Sequence, residues 1–61
     1  MEYLVVKEVG NGTKRYLDKE GAFGLKSLGY RMPEWMARLI IRSWFSYDYG
    51  HSLKFFIEEA R

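Results

Sequence analysis

The chain has 61 residues, of which 48% are hydrophobic and 18% aromatic, and it carries a formal net charge of +2 and no cysteine. This length allows one small domain, residues 1–61, and excludes a two-domain cofactor-binding enzyme. The apolar content also argues against intrinsic disorder, which needs few apolar residues and a high net charge. Because no disulfide can stabilise so small a core, a homodimer is one physically reasonable source of further burial.

The N-terminal residues predict a β-hairpin. Two runs rich in β-branched and aromatic residues, 3–9 and 13–17, flank Asn11-Gly12, and Asn-Gly between such runs is a strong hairpin signal. A two-residue turn pairs Val6 with Leu17 and directs Leu4, Val6 and Leu17 to the core. A three-residue loop instead shifts this register by one residue.

The other face of the hairpin is predicted to be half exposed. It has a mixed composition that includes both Val5 and Lys14. A second candidate surface for a partner lies on this face and consists of Tyr3, Lys7 and Tyr16. An exposed strand edge here could also extend a partner's sheet.

The middle of the chain predicts a turn and then a helix. The run Asp18-Lys19-Glu20-Gly21 is typical of a turn in which Gly21 adopts a positive φ. Residues 22–32 carry little signal, although residues 29–32 could form a short third strand. Pro33 favours an extended Met32 and suits the first position of a helix. We expect that helix to run from residue 33 to about 46, with residues 47–50 ending it.

Residues 52–60 fit two structures. Leu53, Phe55 and Ile57 alternate as in a strand, whereas the set Leu53, Phe56, Ile57 and Ala60 fits a helix face. Acidic residues at 58 and 59 would oppose the dipole at a helix C-terminus, so a strand is favoured. The predicted fold is therefore α+β, with a mainly antiparallel sheet of three to four strands and one helix on one face, in a ββαβ-like order. In size and element order alone it resembles ββαβ domains found among bacteriophage accessory proteins.

The residue types do not indicate an enzyme. There is one histidine, His51, and its nearest carboxylate, Asp48, gives only two ligands in a predicted turn, too few for zinc. Glu58 and Glu59 are adjacent and would point to opposite faces of a strand, so they do not make a carboxylate pair for hydrolysis. No phosphate-binding loop of the GxxxxGK[ST] type is present. We expect no catalytic residues, no metal site and no cofactor.

The predicted helix carries apolar residues on both sides. We expect its core face to pack against Leu4, Val6 and Leu17. This face holds Met36, Leu39, Ile40, Ser43, Trp44 and Tyr47. The back and flank hold the residues that we predict to bind a partner, which are Trp35, Arg38, Ile41, Arg42 and Phe45. The alternative is that Trp35 folds over the sheet edge, that the C-terminal segment buries Phe45, and that arginine stems lie on aromatic rings within the same chain.

These observations predict a small protein-binding module, an adaptor or inhibitor that docks on another protein. The alternative is a nucleic-acid-binding protein, since Arg38 and Arg42 lie one helical turn apart and Tyr30 could stack on bases. No basic half or tail supports that alternative. No signal peptide is evident, and the apolar stretch from Trp35 is interrupted by arginines, so we expect a cytoplasmic protein without a membrane segment.

Overall fold

The structure is a computed structural model that describes residues 1–44 and 53–60. Its elements, in chain order, are β1 (Glu2–Val9), β2 (Lys14–Leu17), β3 (Phe23–Gly24), a 3-10 turn (Lys26–Leu28), β4 (Met32–Pro33), α1 (Glu34–Trp44) and β5 (Leu53–Glu59).

β1 is the central strand of a curled antiparallel sheet. β5 pairs with it from Tyr3 to Val9, along one edge. β4 and β2 lie along the other edge of β1, β4 at its beginning and β2 further on. Tyr3 of β1 pairs with Met32 of β4, and Val6 of β1 pairs with Tyr16 of β2, while both residues also pair with β5 on the first edge. β3 then pairs with β2. The predicted α+β fold, with an N-terminal hairpin and one helix, is confirmed.

The first hairpin closes through three residues rather than two. The N–H of Val9 donates to the carbonyl of Thr13 at 3.0 Å, and the N–H of Gly12 donates to the carbonyl of Val9 at 2.9 Å. Gly12 has φ +88°, as the last residue of such a loop requires, and Asn11 Oδ1 accepts the N–H of Thr13 at 2.9 Å. The prediction of a two-residue turn was therefore wrong, and the alternative, a three-residue loop, is the one that forms.

This loop shifts the register by one residue, so Val6 pairs with Tyr16 instead of Leu17. Since side chains alternate across a strand, Leu17 moves to the face of Val5. That face is the one that α1 covers, in a core cluster of Val5, Leu17, Met32 and Ala37. The prediction that the helix packs on Leu4 and Val6, and that the face of Val5 is half exposed, was wrong.

The second face of β1 is buried as well. Leu4, Val6 and Tyr16 form a separate cluster there, with Phe56 and Ala60 packed against it. The segment containing the 3-10 turn lies across this face, because a Cβ built on Gly29 would lie 2.9 Å from Leu4 Cδ2. Curling of the sheet therefore lets a chain of 61 residues bury both sides of one strand.

The second turn repeats the geometry of the first. The N–H of Asp18 donates to the carbonyl of Ala22 at 2.8 Å, and the N–H of Gly21 donates to the carbonyl of Asp18 at 3.1 Å. Gly21 has φ +88°, which confirms the turn prediction. The Asp18 carboxylate also accepts the N–H groups of Glu20 and Ala22. The following strand, β3, was not predicted, since two residues are too few to show a period.

The helix begins one residue later in the structure than predicted. Pro33 ends β4 and pairs with Glu2, so α1 starts at Glu34, while Met32 is extended as expected. The predicted helix end near residue 46 and the turn at 47–50 lie outside the described residues. For the C-terminal run, the strand prediction is confirmed by β5.

Candidate functional site

A groove of about 670 Å³ lies between α1 and β5. Its lining consists of Trp35, Arg38, Leu39, Ile41 and Arg42 from α1, and residues 55–57 from β5. Four of the five residues that we predicted to bind a partner therefore line one groove. The fifth, Phe45, lies outside the described residues.

The rotation of α1 about its axis decides which residues reach the groove. Ala37 is fully buried, and its small side chain lets the helix lie close to the sheet. Ile40 and Ile41, three and four positions further on, pack against the same core. The core-facing stripe therefore follows Ala37, and this turns Leu39 outward.

Leu39 is the groove residue of α1 that sequence analysis missed, since its spacing had placed it in the core, and residues 55–57 of β5 were not predicted to bind a partner either. Leu39 is 51% exposed, and Trp35, one turn earlier, is 65% exposed. Trp35 thus does not fold into the core. Ile41, predicted for the back of the helix, is half-buried against the core. An alanine followed by isoleucines at i+3 and i+4 was the signal that could have shown this rotation.

The two arginines of the groove differ in whether a carboxylate pairs with them. Arg38 is paired with Glu34, one turn before it, with Nη2 at 2.7 Å and Nε at 2.8 Å from Oε2. Arg42 is exposed and makes no ion pair with any residue of 1–44 or 53–60. The groove therefore offers an apolar wall with one cation that no described carboxylate neutralises.

The edge of β5 that faces away from β1 borders the groove. β5 pairs with β1 on one edge, and no other strand in the described part of the chain pairs with it. Its residues 55–57 are half-buried and line the groove. A partner in the groove would therefore meet apolar side chains of α1 on one side and residues 55–57 of β5 on the other.

The second candidate surface is not a single surface. Tyr3 packs against the core cluster under α1, and Lys7 Nζ lies 4.8 Å from the centroid of the Phe23 ring. Tyr16 is buried on the opposite face of the sheet, because the register shift moved it there. The structure therefore does not bring Tyr3, Lys7 and Tyr16 together.

An ionic cluster lies on the face of Tyr16. Glu58 of β5 lies 3.0 Å from Lys26 Nζ and 3.7 Å from Lys14 Nζ, and it accepts a hydrogen bond from the Tyr16 hydroxyl at 3.3 Å. The hydrogen bond from Lys26, together with the charges of both lysines, holds the pKa of Glu58 below its usual value. The same bond raises the pKa of Lys26. The cluster ties β5 to β2 and the 3-10 turn.

The described residues hold no group of three or more histidine or acidic side chains that could bind a metal ion. Asp48 and His51 lie outside them. Within the same residues, no helix has both the length and the apolar character needed to cross a membrane. In comparisons with protein-family models, curated proteins and solved structures, no match to this chain is found.

Proposed function

We propose that this chain is a small non-catalytic protein-binding domain, an adaptor or inhibitor, whose docking surface is the groove between α1 and β5. One observation carries the proposal: Trp35 and Leu39 expose 65% and 51% of their surface side by side at the groove. Adjacent exposed apolar side chains commonly mark interaction sites. Tryptophan and arginine are also enriched among the residues that dominate binding energy.

The contacts of α1 support this role, because its core packing does not use these side chains. Ala37, Met36 and Ile40 pack against the sheet, whereas Trp35 and Leu39 lie on the flank above β5. Binding a partner would remove both from water. The absence of cysteine fits a reducing, cytoplasmic compartment for such a domain.

Nucleic acid is the alternative ligand, and the charge distribution favours it less. Of the basic side chains, Lys14 and Lys26 both contact Glu58, and Arg38 contacts Glu34. Phosphate binding would have to compete with these carboxylates. A titration of the chain with labelled DNA and RNA at low and high salt separates the two roles, since phosphate contacts give a steep salt dependence.

Affinity capture with the tagged full chain, followed by mass spectrometry of the retained proteins, tests the proposal. We expect Trp35→Ala and Leu39→Ala to lose the retained partner. Leu28→Ala is the matched control, because Leu28 is 65% exposed but lies in the 3-10 turn, outside the groove. It should retain the partner as the wild type does.

Thermal unfolding of the same variants separates binding from stability. Trp35 and Leu39 are mostly exposed, so each substitution should change the free energy of unfolding by no more than about 0.5 kcal/mol. A large loss of stability in Trp35→Ala would place this side chain in the core. Equal capture by wild type, groove variants and control would refute the proposed docking surface.

A further inference from the structure

We infer that the groove between α1 and β5 binds an acidic amphipathic helix of a partner protein. Apolar side chains of that helix would lie on Trp35 and Leu39, and its carboxylates would pair with Arg38 and Arg42. The inference rests on the proposed function, since it gives the chemistry of the partner that the same groove takes. Such a helix carries apolar residues three and four positions apart and acidic residues beside them.

The exposed side chains of α1 form a stripe along the helix. Trp35, Arg38, Leu39 and Arg42 are all exposed. Their positions follow the spacing i, i+3, i+4 and i+7, which places them on one face. The core does not use this face, because the stripe that packs against it includes Ala37 instead. The exposed stripe covers two turns, about 10 Å at ~1.5 Å for each residue. Side chains with this spacing form the ridges that pack against a second helix.

A helical partner suits this wall better than an extended one. The backbone groups in the middle of α1 bond to one another, so this wall offers a partner side chains alone. A partner helix has likewise bonded its own backbone groups, and side-chain contacts are enough to hold it. An extended segment lying along α1 would leave backbone groups without a hydrogen bond on that side, which costs free energy in an apolar groove.

The charges in the lining of the groove are both positive. The lining contains Arg38 and Arg42 and no acidic residue. Arg42 makes no ion pair with a described residue. Arg38 bonds Glu34 through Nε and Nη2, and a guanidinium has five N–H donors, so it can bind a second carboxylate. A partner that complements this lining therefore carries negative charge.

The acidic side chains of β5 are not part of the lining. Glu58 lies on the opposite face of the sheet, beside Lys14 and Lys26. Glu59 follows the lining segment, residues 55–57, and does not belong to it. The two arginines are therefore the charged groups that line the groove.

The aliphatic part of the wall favours a protein segment over a nucleic acid. Single-stranded nucleic acids bind along a basic track on which successive bases stack on aromatic rings. Among the described residues of this lining, Trp35 is the one exposed aromatic side chain, and Leu39 and Ile41 beside it are aliphatic. Leucine or isoleucine side chains of an amphipathic helix pack on such a surface.

Selection from random peptides of about 15 residues, or four helical turns, displayed on phage tests the inference with the full chain as bait. Peptides that also bind Trp35→Ala are removed first. We expect the retained peptides to carry apolar residues at spacings of three and four, and more Asp and Glu than Lys and Arg. With Arg42→Glu as bait the acidic excess should disappear. Arg15→Glu makes the same change of charge at an exposed residue outside the groove and should keep the excess.

An exchange of charges shows whether Arg42 contacts the peptide. The strongest selected peptide is labelled and titrated with the full chain, followed by fluorescence anisotropy. Arg42→Glu should weaken binding by about tenfold or more. Replacing one acidic residue of the peptide by lysine should restore part of this loss for Arg42→Glu alone. A proline in the middle of the peptide should abolish binding, because it breaks a helix. Circular dichroism checks that Arg42→Glu folds, as its exposed position predicts.

The outcomes separate the two proposals. Selected peptides without an acidic excess, an excess that Arg42→Glu leaves unchanged, or a selection that retains no peptide overturns the acidic helix. A labelled single-stranded DNA that binds more tightly than the peptides, and does so through Arg42, overturns it as well. If capture of another protein still depends on Trp35 when the peptide selection fails, the proposed function stands with a partner of different chemistry. If capture also ignores Trp35, both proposals fail.

Discussion

Burial of both faces of β1 gives the sharpest prediction for stability. Val5 and Val6 are adjacent and both fully buried, yet they belong to different clusters, one under α1 and the other around Tyr16. A sheet with one solvated face would tolerate one of the two substitutions to alanine. Here we expect Val5→Ala and Val6→Ala to destabilise the protein to a similar extent.

The size of the effect follows from the atoms removed. Each substitution deletes two buried carbons, a transfer loss of about 1.6 kcal/mol at ~0.8 kcal/mol for each. The cavity left behind raises the cost to about 2–3 kcal/mol. A domain of this length has a total stability of about 3–9 kcal/mol. Both variants should therefore remain folded, with clearly lower stability.

Urea denaturation followed by tryptophan fluorescence measures the free energy of unfolding of each variant. Leu39→Ala is the control, since its side chain is half exposed and should change this free energy by no more than about 0.5 kcal/mol. If either valine variant lost less than about 1 kcal/mol while the other lost more than 2, one face of β1 would be solvated and the description of two clusters would be incorrect.

Two further predictions concern the segment that covers the second face. Gly29→Ala would place a Cβ 2.9 Å from Leu4 Cδ2 and 3.2 Å from the Lys26 carbonyl oxygen; we expect a loss of about 1–3 kcal/mol in thermal or urea unfolding. Gly24→Ala, with open space around its Cβ, should lose little, and equal losses would contradict the close packing at Gly29. Glu58→Gln removes a carboxylate whose pKa is lowered in the folded state. The stability that this carboxylate contributes is therefore present above pH 4.5 and is lost as the pH falls. The difference in free energy of unfolding between wild type and this variant should shrink below that pH, and a difference constant with pH would count against the cluster.

Local chemistry predicted much of the fold. Gly21 after three polar residues predicted a turn with positive φ, Pro33 predicted an extended residue before a helix, and the alternation in β5 favoured a strand. Each of these features depends on a residue and its nearest neighbours along the chain. The sequence therefore carried enough information to predict the fold class and most of the elements.

The candidate site depended on contacts between distant parts of the chain. One extra residue in the loop that ends at Gly12 moved Leu17 to the face of α1 and Tyr16 to the other, which divided the second candidate surface. The close approach of Ala37 to the sheet turned Leu39 outward, although its spacing alone fitted the core.

The amino-acid sequence by itself determined most of the elements and the residue types available for binding. Only the tertiary structure decided which of those residues share a surface. The physical reason is that side chains alternate along a strand and rotate by about 100° per residue in a helix. A shift of one residue in a turn, or a small rotation of α1, therefore changes which side chains are buried without changing any local preference.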